Sequence, residues 1–203
     1  MYKIISVFCI LIYGCNHSYN IKRADHIMPA PIGNWSHSGV VTLWIHPNTT
    51  KENRHCFMKA SGELERETRS NLFEVQYMNE KDVERYEIYG MVSNNGTVLI
   101  QGVPMRNAVA TTLTTLDRYG KIIFAEVNFN SNLTIRQCRH ELGHVLGLQD
   151  NFKGHESLLM TPNVNSVPSL RLDPETASFG TGNRLLPEEI EWITKSYMPN
   201  SVH

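Results

Sequence analysis

The segment that most constrains this chain is His140-Glu141-Leu142-Gly143-His144-Val145-Leu146-Gly147-Leu148-Gln149-Asp150. A helix completes a turn in about 3.6 residues, so histidines four apart lie on one helix face. Leu142, Val145, Leu146 and Leu148 supply the apolar positions that anchor such a helix in a core. The imidazoles of His140 and His144 are then close enough to bind one ion, and imidazole suits Zn²⁺. Gly147 lets the chain leave the helix in a backbone geometry that other residues resist, and Asp150 can swing back as a third ligand. His155 is the alternative third ligand. Glu141 adjoins the first histidine and projects toward the open side of the ion, where it can hold a water. Three protein ligands plus water is the pattern of a catalytic zinc, because structural zinc is closed by four. The plain alternative is a helix with two surface histidines and a core glutamate. On this chain's composition the full pattern arises by chance with odds of roughly 1 in 10,000, which favours the metal.

This segment resembles the metzincin metalloprotease consensus, His-Glu-x-x-His-x-x-Gly-x-x-His/Asp. Most families of that clan end in His, and an ending in Asp resembles the snapalysin-like branch. Leu159-Met160-Thr161-Pro162 is similar to the matrixin form of the methionine turn, with Thr161 where matrixins usually have Tyr. Leu186-Pro187-Glu188-Glu189-Ile190-Glu191-Trp192-Ile193 resembles the helix that closes matrixin catalytic domains, and Gly120 to Asn130 the strand before the zinc helix. The likeness runs over Val40–Tyr197. It implies an α+β fold: a twisted mixed β-sheet with an antiparallel edge strand, an active-site helix with the zinc motif, a Met-turn and a C-terminal helix. It implies one catalytic Zn²⁺ on His140, His144 and Asp150, with Met160 packed beneath the imidazoles and Glu141 as general base. It also implies that an extended peptide pairs with an edge strand. Ala108–Leu116 is the expected edge, with Ala108, Ala110 and Thr112 toward the substrate and Thr161, Pro162 and Val164 walling a pocket. The bland reading of Ala108–Leu116 is an ordinary outer hairpin strand. Pro162 stands where some metzincins carry a tyrosine switch, so none is expected.

Periodicity places the other elements. Val40–His46 and Leu72–Met78 alternate and read as strands. Between them, Cys56, Phe57, Ala60 and Leu64 recur at helical spacing from Glu52 to about Ser70. Asp82–Tyr89 is ambiguous. Asn94-Asn95-Gly96 is a turn before a strand at Thr97–Val103. Ala108–Leu116, the turn Asp117–Gly120 and Ile122–Asn130 form a hairpin, with Ile123, Ala125, Val127 and Phe129 on one face of the second strand. Asn132 or Thr134 caps the zinc helix, which runs to about Leu148. A Gly/Pro/Ser/Asn-rich segment spans 150–182, and Pro187-Glu188-Glu189 opens a last helix to about Tyr197.

The amino-terminal residues read differently. Ile4–Tyr13 is almost wholly apolar, of signal-peptide rather than membrane-span length. Ile12-Tyr13-Gly14-Cys15 resembles the bacterial lipobox, implying removal of 1–14 and acylation of Cys15. The alternatives are an ordinary secretory signal or a buried first strand. Residues 15–34 then form a polar tether and 35–203 the metalloprotease domain. With Cys9 removed and Cys15 acylated, Cys56 and Cys138 remain. In an oxidising compartment they suggest one disulfide, the alternative being two buried thiols.

A zinc-dependent endopeptidase is therefore expected, exported and lipid-anchored to a bacterial membrane or else secreted, monomeric, and acting on a protein or peptide bound as an extended strand. The alternatives are a non-catalytic lipid-anchored binding protein that keeps the fold, and a zinc amidase acting on cell-wall peptides. A formal net charge of −1 provides no basic field for nucleic acid.

Overall fold

The computed structural model describes residues 28–35, 39–90, 97–105, 109–151, 159–160 and 184–197. Cys15, Ala108, His155, Thr161, Pro162 and Val164, with the expected signal segment, lie outside these residues.

Alternation decides the sheet. Val41, Leu43 and Ile45 of β1 (Val41–Ile45) are buried and share one face. Next come α1 (Lys51–Thr68), β2 (Phe73–Tyr77), α2 (Glu80–Tyr89), β3 (Thr97–Gly102), β4 (Ala110–Leu116), β5 (Ile122–Phe129), α3 (Ile135–Val145) and α4 (Pro187–Tyr197). The strands form one sheet in the order β2-β1-β3-β5-β4. The β1–β2, β1–β3 and β3–β5 pairs are parallel, and β4 is an antiparallel edge on β5. The fold is thus mixed α and β, with a mostly parallel five-stranded sheet and four helices among the described residues.

One face of the sheet carries the main core. Val41, Leu43, Ile45, Val98, Ile100, Ala125, Val127 and Phe129 meet Cys56, Phe57, Ala60 and Leu64 of α1 and Cys138, Leu142 and Val145 of α3. On the other face, Met78 and Leu99 pack with Trp44 and with Val83 and Tyr86 of α2. This resolves the ambiguous Asp82–Tyr89 as part of α2. Asn79 caps it, accepting from the Asp82 backbone N–H while the Asp82 carboxylate accepts from the Asn79 N–H, a complete capping box.

Two expectations are corrected. Ile123 is 37% exposed and Ile122 is fully buried, the reverse of the expected facing. Thr115 pairs with Phe124 but Leu116 with Ile122, so β5 carries one extra residue there, and this bulge moves Ile123 off the core face. Residues 28–34 also do not behave as tether. The Ile32 N–H donates to the Gly147 carbonyl (2.9 Å), Gln149 Nε2 to Ala30 O (2.7 Å), and Ile122 N–H to Asn34 O (2.8 Å). Trp35 is buried and donates its indole N–H to Val145 O at 2.9 Å. The stretch satisfies its backbone polar groups on the domain, next to the end of α3.

Two cross-links hold α3 to α1. Cys56 and Cys138 are disulfide-bonded across 82 residues of sequence. Buried Arg139 pairs with Glu63 and Glu67 of α1, and Glu67 also accepts the Leu185 N–H ahead of α4. Beside this cluster, Glu189 is buried and accepts the Leu186 N–H at 2.7 Å. Burial pushes the Glu189 carboxyl up to about 7; Glu188 and Glu67 add to the shift, while the Leu186 N–H and His140 oppose it.

The Cys56→Ser/Cys138→Ser double variant should lose about 4–5 kcal/mol of unfolding free energy in urea, as the entropy of a loop this long requires. Reductant should destabilise the wild type and leave the variant unmoved; equal stability of the two chains would contradict the cross-link. For Glu189, the folded state keeps a proton that the unfolded chain releases above its lower pKa. The Glu189 contribution to the stability of the metal-free protein should therefore fall as pH rises from about 4.5 to about 7, then level off. Glu189→Gln should remove that slope and gain on the order of 2–3 kcal/mol at pH 8; a variant with the wild-type slope would contradict this assignment.

Candidate metal centre

α3 is positioned from its first residue. Thr134 caps it, its hydroxyl accepting from the Gln137 N–H while Gln137 Oε1 accepts from the Thr134 N–H. With Cys138, Leu142 and Val145 facing the core, His140 and His144 fall on a neighbouring stripe, both half-buried. The helix ends three residues earlier than the sequence suggested, at Val145. Its stop is a Schellman motif: the Gly147 N–H donates to His144 O and the Leu148 N–H to Gly143 O. Gly147 has φ 92°, the left-handed geometry this motif requires. The turn sends the chain back so that Asp150 faces the histidines.

Three ligand atoms converge there. His140 Nε2 and His144 Nε2 lie 3.2 Å apart. Asp150 Oδ1 is 3.2 Å from His140 Nε2 and 3.5 Å from His144 Nε2. Zinc bonds of 2.0–2.1 Å at tetrahedral angles need donor atoms about 3.3 Å apart, so the three edges match that ion without rearrangement. Among the described residues, this is the only group of three or more such side chains placed to share a metal.

The outer nitrogens explain why the inner ones are available. His140 Nδ1 is 2.9 Å from the Leu159 carbonyl and His144 Nδ1 is 2.9 Å from the Leu148 carbonyl. A carbonyl only accepts, so each Nδ1 carries the hydrogen and each neutral Nε2 presents a lone pair. Two lone pairs and a carboxylate oxygen at such distances are favourable only with positive charge between them. Without metal that charge is a proton. Burial alone would lower the His144 pKa, but the hydrogen bond and charge of Asp150, with Glu141 and the Leu148 carbonyl, raise it to about 9. Burial would likewise raise Asp150, but the two imidazoles hold it well below the usual carboxylate range.

Met160 lies close by: it is fully buried, and a Cβ at position 143 would collide with its sulfur, so Gly143 is what lets the methionine lie against the helix. The Met160 carbonyl accepts the Asn151 N–H at 2.8 Å, tying the methionine to the residue after Asp150. Glu141 is buried, with its Oε2 accepting from the Thr112 hydroxyl at 2.6 Å.

The structure thus brings His140, Glu141, His144, Asp150 and Met160 into one cluster, and sets Thr112 of the edge strand beside it. Thr112, expected toward substrate, donates its hydroxyl to Glu141, a contact the sequence did not foresee. It also missed the acceptor roles of Leu148 and Leu159, which involve only backbone carbonyls. No known protein-family model matches the chain, and no similar protein is found among curated sequences.

The purified chain should bind one Zn²⁺ per molecule. Asp150→Asn keeps the shape but removes the charge, and titration against a chelator should show zinc affinity at least tenfold weaker. Undiminished affinity would remove Asp150 from the ligand set.

Proposed function

We propose that this chain is a zinc-dependent endopeptidase of the metzincin type. One observation carries the reading: His140 Nε2, His144 Nε2 and Asp150 Oδ1 converge at zinc-ligand spacing, with a buried acidic side chain next to the first of them. The resemblance of the motif to the His-Glu-x-x-His-x-x-Gly-x-x-Asp form supports it. So does a sheet whose antiparallel edge strand packs against the motif helix, a buried methionine packed on Gly143 of that helix, and a closing helix.

When bound, zinc supplies Lewis acidity, which brings the pKa of a water molecule toward neutrality and polarises the scissile carbonyl. His140, His144 and Asp150 would hold it, with the Leu148 and Leu159 carbonyls orienting the imidazoles so that Nε2 is the nitrogen offered to the ion. Asp150 brings a full negative charge, so the site is less acidifying than one made of three histidines. Glu141 takes the proton of the attacking water and passes it to the leaving amine. The substrate chain lies extended along β4, pairing with its outer edge. A non-catalytic binding protein has no need of a carboxylate held beside a metal site, which favours the enzyme over that alternative.

Export completes the proposal. The Cys56–Cys138 disulfide suits an oxidising compartment. The lipobox-like Cys15 would anchor the domain to a bacterial membrane by its acyl chains. No helix among the described residues is long and apolar enough to cross a membrane.

Glu141→Gln should lower cleavage of an unfolded protein substrate by about 100- to 10,000-fold with zinc content unchanged. Equal cleavage by variant and wild type, or none by either at full zinc occupancy, would defeat the endopeptidase reading.

A further inference from the structure

We propose that Thr112 is a positioning residue that couples substrate pairing on β4 to the general base, an inference that rests on the peptidase reading. Its side chain and its backbone face different tasks. The hydroxyl donates to Glu141 Oε2 at 2.6 Å and also lies 3.3 Å from the Glu141 carbonyl. A hydroxyl has one hydrogen, and the shorter contact to the charged oxygen takes it. Glu141 is 6% exposed, so a carboxylate there needs a fixed donor in place of water. Oε2 is occupied by this bond, which leaves Oε1 to receive the proton of the attacking water.

The backbone of Thr112 points the other way. The Asn130 N–H donates to the Val109 carbonyl at 3.2 Å, and the register continues as Ala110 opposite Phe129, Thr111 opposite Asn128 and Thr112 opposite Val127. Opposed residues in an antiparallel ladder alternate between bonded and non-bonded pairs. Val109 and Thr111 therefore turn their backbone groups toward β5, while Ala110 and Thr112 turn theirs to the outer edge. β4 is the last strand of the sheet, and that edge has no strand beside it among the described residues. A peptide that pairs with Thr112 is bonded to the same residue that holds the base. Its register along β4 thereby fixes the scissile bond relative to Glu141.

Thr112→Val keeps the shape and the backbone but removes the donor; Thr112→Ser keeps the donor. In the zinc-loaded enzyme, Thr112→Val should lower kcat about 10- to 100-fold with KM within about twofold and zinc content unchanged, and Thr112→Ser should recover most of that loss. An unchanged kcat, or Ser and Val variants equally impaired, would overturn the inference. A second readout needs no activity: urea unfolding of the metal-free wild type, Thr112→Val, Glu141→Ala and the double variant. Thr112→Val should reduce the folded-to-unfolded ratio by about tenfold or more when Glu141 is present, and by less than about threefold when it is absent. Equal reductions in both backgrounds would show that the hydroxyl does not hold the carboxylate. If the wild type fails to cleave at full zinc occupancy, the peptidase reading and the catalytic role of Thr112 fall together. The unfolding cycle still decides whether Thr112 holds Glu141.

Discussion

The hydrogen bonds from His140 Nδ1 to the Leu159 carbonyl and from His144 Nδ1 to the Leu148 carbonyl are the interactions on which the site depends. They choose the tautomer. With both Nδ1 atoms engaged as donors, both Nε2 atoms are the positions turned toward Asp150, and the cluster calls for a positive charge between them, a metal ion or a proton. Either imidazole turned over would put a hydrogen into that space and close it. The acceptors are main-chain atoms, so their positions are set by the path of the backbone and not by side-chain choice.

Much of the surrounding structure can be understood as holding those two carbonyls still. The Schellman turn at Gly147 aims the Leu148 carbonyl back at His144. Residues 28–35 lie across that turn through Ile32, Ala30 and Trp35, and a Cβ at position 147 would collide with the Gly33 carbonyl. The Tyr197 hydroxyl of α4 adds a bond to the Leu146 carbonyl at 3.0 Å. The Leu159 carbonyl is fixed from both sides: Met160 packs on Gly143, and the Leu159 N–H donates to Arg184 O. Cys138 of the disulfide and Arg139 of the ion pairs immediately precede His140 in sequence and tie the helix to α1. Support for the His140, His144 and Asp150 cluster is thus distributed over elements far apart in the chain, and this is why a short motif alone does not make the site.

What the sequence could show follows from this. The buried faces of β1 and α1, the Gly147 stop and the grouping of His140, His144 and Asp150 were legible because each is a local pattern: alternation, helical spacing, one glycine, and polar side chains at short separations. α2 was not, because it has no fully buried residue and so little periodic signal; its cue was the Asn79–Asp82 capping pair. The bulge at Ile123 leaves the apolar alternation of β5 intact in sequence while changing which residue faces the core. Residues 28–34 look like a tether because their side chains are unpatterned, yet they are held by backbone bonds, which composition does not report. Thr112 and Glu141 are 29 residues apart and meet only because β4 returns beside α3. That contact is tertiary, and no local rule predicts it.

The most direct test of the central claim is X-ray absorption at the zinc edge on the purified, zinc-loaded chain. The account predicts a four-coordinate shell of nitrogen and oxygen at about 2.0–2.1 Å, with the multiple scattering of two imidazoles and no sulfur. In Asp150→Asn that shell should change while the two-imidazole signature stays. A sulfur shell at about 2.3 Å, a single imidazole, or a fully hydrated six-coordinate ion would contradict it.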